Sequence, residues 1–195
     1  ATSLSSLIDY INGKQKELRD SMIIHVESPT KVRLISGLTK ERNREELFCV
    51  TTNSNGFEFD HAYDQERFII NMQTAFEQTD ETALILTVAG NVESKTVANY
   101  GDDGTSQKAT ISKGIAGKED VLVPNPVILR PYRTFLEVEQ PESKFIFRIK
   151  EGNDGQPFFK LIEADCGIWK YEAVASIKEY LQENIDPALG ITIIG

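Results

Sequence analysis

Cysteine and histidine are scarce in this chain, with 2 of each in 195 residues, beside 2 methionines and 1 tryptophan. Cys49 and Cys166 stand far apart, and neither has a second cysteine or a histidine at ligand spacing. Zinc binding and CxxC redox chemistry are thereby excluded. A disulfide between them stays open, and two reduced thiols in a cytosolic protein are the expectation. Long apolar runs are missing too, since none approaches the roughly 20 residues of a membrane-spanning helix. No basic stretch followed by an apolar one opens the chain, so the expectation is no signal peptide, a removed initiator Met and cytosolic synthesis.

Positive charge is in deficit. Against 30 Asp+Glu stand 21 Lys+Arg, a formal net charge of −9. That argues against sequence-blind binding to nucleic acid or to an anionic membrane, which needs a basic surface, while leaving room for a local basic patch. What is present suits a globular fold: 40% apolar and 26% charged residues can build and solvate a real core.

Periodicity supplies the elements. Leu4, Leu7, Ile8, Ile11 and Leu18 share one helical face, with Ser3 as N-cap, which predicts a helix of about four turns ending near Arg19. Residues 22–27 and 31–35 read as strands about a turn at Ser28, Pro29 and Thr30. In the second, Val32 and Leu34 alternate with Lys31 and Arg33, giving one dry and one wet face. Residues 39–46 are a solvated loop or short exposed helix, 47–52 a strand, and 53–56 a turn. Phe68, Ile69, Met72, Ala75 and Phe76 place a helix within 64–78. A second helix runs from Glu81 to about Gly90, started by Thr79 and Asp80.

Beyond Val92 strands dominate. A loop tip at Tyr100 to Gly104 leads to a polar strand over 107–113, and residues 121–123 lead into Pro124, Asn125 and Pro126, an extended path. One or two strands fill 127–138. The clearest hairpin joins Phe145, Phe147 and Ile149 to residues 158–162 through Gly152, Asn153, Asp154 and Gly155. Trp169, Ala173, Ile177 and Leu181 mark a last helix, capped by Asp165, before a strand of Ile191, Thr192, Ile193 and Ile194. The whole, 1–195, reads as a single α+β domain: a mainly antiparallel sheet with an N-terminal helix, a central helical pair, and a C-terminal helix followed by a strand.

Chemistry is harder to find. Asp60, His61 and Asp64 offer metal-binding atoms, but H-x-x-D alone is a weak signal, and Asp64 as a helix cap explains the segment better. Asp102 and Asp103 lack the remaining ligands of a calcium loop. Residues 114–118 fail as a phosphate loop, because Glu119 replaces the Ser or Thr and Ser112 the upstream Gly. No nucleophile, metal or cofactor site is expected. The one locally basic zone holds Arg130, Tyr132, Arg133, Lys144, Arg148 and Lys150 among Phe135, Phe145 and Phe147. Such a mixture clamps single-stranded nucleic acid or a small nucleotide; it is equally two sheet strands with a wet basic face.

Residues 121–135 and 137–143, followed by 159–165 and the helix from Trp169, resemble a group of hypothetical proteins from tailed phages and prophages of Gram-positive bacteria. More distantly they are similar to the YfdQ-like prophage family. The resemblance implies a phage-associated protein and carries no catalytic residue with it. Together with a terminal strand that must pair with something, it leads to the expectation of a non-enzymatic homo-oligomer. That protein serves as a structural or accessory component, in the host cytoplasm or the phage particle, with other phage components as possible partners. Ile191, Ile193 and Ile194 are the interface candidates. The alternative is an accessory module taking nucleic acid or a small nucleotide at the basic zone, and a third reading is an enzyme centred on His61.

Overall fold

A computed structural model describes residues 1–13, 16, 18, 21–53, 56–92, 106–113 and 117–195. The elements run α1 (Leu4–Gly13), β1 (Ile23–Ser28), β2 (Lys31–Ile35), β3 (Glu46–Thr51), β4 (Tyr63–Asp64), α2 (Gln65–Ala75), α3 (Asp80–Asn91) and β5 (Ser106–Lys113). There follow β6 (Gly117–Pro124), β7 (Val127–Leu129), β8 (Ser143–Glu151), β9 (Pro157–Glu163), α4 (Trp169–Asn184), a 3-10 turn (Pro187–Leu189) and β10 (Thr192–Ile194). This is a mixed α+β fold with mainly antiparallel strands. The expected loop tip at residues 100–104, and Gly114, Ile115 and Ala116 of the phosphate-loop-like run, lie outside the described residues. So do Ser54, Asn55 and Arg19.

The chain gathers into two compact units. One holds Ala1–Ser54, Tyr132–Pro141 and Ile168–Gly195; the other holds Asn55–Pro131 and Glu142–Gly167.

In the first unit, the alternation in β2 sets the sheet. Val32 and Leu34 turn inward, opposite Val26 and Ile24 of β1 and Val50 and Phe48 of β3. Leu4, Leu7 and Ile11 of α1 and Ile177 and Leu181 of α4 close over them, all fully buried. Each such side chain stabilises the unit by about 1.5–3 kcal/mol. Ser3 caps α1 as its position predicts, accepting from the Ser6 amide at 3.3 Å, and α1 is described over Leu4–Gly13, its expected end near Arg19 lying outside the described residues. Strand order is β10-β1-β2-β3. The last strand therefore pairs inside the chain, parallel to β1, with Ile193 beside Ile24.

In the second unit β4-β9-β8-β7 form an antiparallel sheet, with β5 and β6 as a separate ribbon. Phe145, Phe147, Ile149, Phe159 and Leu161 point to the same side, where Phe68 and Met72 of α2 and Ile85 and Val88 of α3 meet them. Phe68 stacks on Phe159 with ring centroids 5.1 Å apart. Asp64 and Thr79 cap α2 and α3, accepting from the Arg67 and Thr82 amides at 2.8 and 3.2 Å. Past β7 the ladder is continued by a side chain: Oδ1 of buried Asn125 accepts from the Phe147 amide at 2.8 Å.

The expected cap of α4 is corrected. Asp165 does not cap α4; the left-handed residues Cys166 and Gly167 move the helix start outward, Ile168 precedes it without a side-chain cap, and Asp165 accepts from the Gly167 amide instead. Of the one or two strands expected over 127–138, interrupted by Pro131, one is present, β7, and residues 132–141 beyond it fold into a loop.

Candidate binding surfaces

That loop is organised by one buried side chain. Gln140 accepts from the amides of Arg133 and Thr134 at 2.9 and 3.2 Å, and donates to the carbonyls of Phe135 and Val138 at 3.1 and 3.3 Å. Thr134 donates its hydroxyl to the Pro29 carbonyl at 2.6 Å, and Glu137 accepts from the Ser5 amide in the first turn of α1 at 3.3 Å. Phe135 enters the core of the unit. Residue by residue, the loop is held.

The five candidate residues of the basic zone are shared between the two units. Tyr132 and Arg133 belong to the first unit, and Arg130, Lys144 and Arg148 to the second. Tyr132 is half-buried. Arg133 is only 4% exposed, and its guanidinium lies 3.9 Å from the centre of the Trp169 ring. Arg130 donates twice to Glu142, at 2.9 and 3.2 Å, with Glu77 at 3.7 Å. Its charge is committed to carboxylates.

Lys144 and Arg148 fare differently. They lie on the face of β8 opposite the core, together with Ile146 and Lys150. Directly across on β9 the register puts Ile162 against Ile146, Lys160 against Arg148, and Phe158 against Lys150. Sequence reasoning missed Lys160, although the tight turn at Gly152–Gly155 fixes that register and was the available signal.

The first unit presents a second kind of surface. In the chain segments next to Arg133 and Trp169, Leu136, Ile168 and Tyr171 are 77%, 57% and 81% exposed. Leu136 is three residues from Arg133 in the rigid loop, and Ile168 and Tyr171 flank Trp169 at the head of α4. Of the predicted interface residues, Ile191 and Ile193 are half-buried and pack onto the unit's core, while Ile194 is 42% exposed. β10 pairs within the chain, with β1 on one side, and forms the edge of its sheet.

The acidic-aromatic segment divides its work. Asp60 pairs with Lys160, Asp64 caps α2, and His61 sits exposed, 3.8 Å from Glu58 and edge-on to Tyr63. Among the described residues no group of three or more His, Cys, Asp or Glu side chains is placed to hold a metal ion, and no helix is long and apolar enough to cross a membrane. Cys49 is half-buried, Cys166 exposed, and both are free thiols. On the outer face of β1 and β2, Glu27 meets Lys31 at 3.2 Å and Arg33 at 2.8 Å. The hydrogen bond from Lys31, reinforced by the charge of Arg33, holds the Glu27 carboxyl below its ordinary range.

Comparison with family models, curated proteins and solved structures finds no match to this chain.

Proposed function

We propose that this chain is a phage- or prophage-encoded accessory protein that works by association and not by catalysis, with a second copy of itself as first partner. The observation that carries the reading is the surface at the head of α4. Large apolar side chains stand out there: Leu136 on a loop that the Gln140 network holds, and Ile168 and Tyr171 at the start of α4, so little ordering entropy of the loop remains to oppose association. Large exposed aliphatic and aromatic residues mark interaction sites where they form a patch. Closed homo-oligomers are the commonest way such a patch is covered. The resemblance of residues 121–135, 137–143 and 159–165 and the helix from Trp169 to phage and prophage proteins supports the setting.

The test is the mass of the native particle, by light scattering or mass photometry, at low and high salt. A discrete, salt-stable oligomer is expected, dispersed to monomer by Tyr171→Lys combined with Leu136→Lys. Monomeric wild-type protein at micromolar concentration sinks the reading.

A further inference from the structure

We infer that the outer face of β8 and β9 binds single-stranded nucleic acid, an activity separate from self-association at the head of α4. Lys144, Arg148 and Lys150 recur on one side of β8, and Lys160 stands directly opposite Arg148. Like charges facing each other across a sheet destabilise it. Two devices ease the cost in the free protein: Asp60 pairs with Lys160, and Arg148 donates to the Phe147 carbonyl at 3.0 Å. A concentration of cations at this one place, in a chain of net charge −9, fits an anionic ligand.

The ligand's other properties follow from what lies between the cations. Ile146 and Ile162 form a half-buried cross-strand pair, and Ile128, 42% exposed, lies beside Lys144. Phe158 is half-buried across from Lys150, over Gly152, where a Cβ would come within 2.6 Å of the ring. The glycine thus lets the ring lie against the turn and hold one orientation. Flat apolar and aromatic surface among phosphate-seeking cations suits unpaired bases, whose faces are free to stack. A duplex hides those faces. From Lys144 to Lys150 the strand covers about 20 Å, at roughly 3.4 Å per residue, so a row of phosphates fits it better than one nucleotide does. Asp60 and Asp64 lie beside this surface, Asp64 opposite Phe158 and engaged in capping α2 and in a 3.8 Å ion pair with Arg67.

Fluorescence anisotropy of the full chain with labelled oligothymidylate and oligouridylate, and with a matched hairpin duplex, tests the assignment. Binding of a single strand at low salt is expected, falling as salt rises. Lys150→Gln lowers the slope of log affinity against log salt by about 0.7, and Phe158→Leu weakens binding about fivefold or more. Lys144→Glu with Lys150→Glu, both at exposed positions, abolishes binding with an unchanged circular dichroism spectrum. No binding at low salt, equal binding by the charge-reversed variant, or preference for the duplex overturns the inference. The Tyr171→Lys, Leu136→Lys variant keeps its affinity for the strand, so failure here and failure of the self-association reading are told apart.

Discussion

Arg133 and Trp169 form a cation–aromatic stack, 3.9 Å from guanidinium carbon to ring centre, with the arginine almost wholly shielded from water. Desolvation strengthens such a contact to about 2 kcal/mol. The pair ties the loop 132–141 to the first turn of α4, which has no side-chain cap of its own. Arg133→Met keeps the apolar stem and removes the charge. It is expected to lower stability by about 2 kcal/mol and to shift the emission of Trp169, the chain's one tryptophan. Arg133→Lys does not restore the spectrum, because an ammonium lacks the planar face that stacks. Unchanged emission in the methionine variant refutes the stack.

Gln140 makes four hydrogen bonds inside the loop. Gln140→Ala leaves buried amides and carbonyls without partners, and each such group costs about 1–3 kcal/mol. A fall of at least that size in urea unfolding is expected, together with loss of the native oligomer, since Leu136 loses its fixed position. A variant as stable as wild type contradicts the role given to this side chain.

Asn125 replaces a backbone acceptor beyond the end of β7. Asn125→Ala strands the Phe147 amide and is expected to cost about 1–3 kcal/mol. Hydrogen exchange localises the effect: the Phe147 amide loses protection while the Leu161 amide, in the neighbouring strand, keeps its own.

Glu27 supplies the pH dependence. Its carboxyl is held low in the folded protein, so the contribution is fully present above the unfolded carboxylate pKa. It is lost as pH falls through the folded value. Its solvent exposure keeps the effect small. In an NMR titration the Glu27 midpoint lies below that of an ordinary glutamate and rises in Lys31→Met. The stability difference between wild type and Lys31→Met vanishes in acid; a difference that grows there reverses the assignment.

Much of this fold is legible from residue order. The alternation Lys31, Val32, Arg33, Leu34 dictates which face of β2 meets α1, and Asp64 and Thr79 announce the two central helices by capping chemistry that acts within one turn. Legibility fails where the deciding contact is distant or unusual. The Asp165 cap is displaced because Cys166 adopts a left-handed backbone, which composition does not signal. Residues 132–138 carry apolar side chains that would suit a strand, whereas Gln140, a polar residue with no sequence signature, holds them in a loop. The basic zone shows the same limit. Arg130, Arg133 and Arg148 are alike in sequence, and only tertiary partners separate a carboxylate-clamped arginine and a buried one from one on the outer sheet face.

The parallel pairing of β10 with β1 carries a consequence for biosynthesis. On a ribosome, everything the second unit needs has emerged once Gly167 is free, but β1 must wait for Thr192 to Ile194 before its edge is covered. Until then a half-apolar sheet edge of the kind that seeds misassociation stays open. Shortening the chain before Thr192 is therefore a defect in the sheet that begins at Ile23, and a nascent chain stalled there is the form a chaperone would meet.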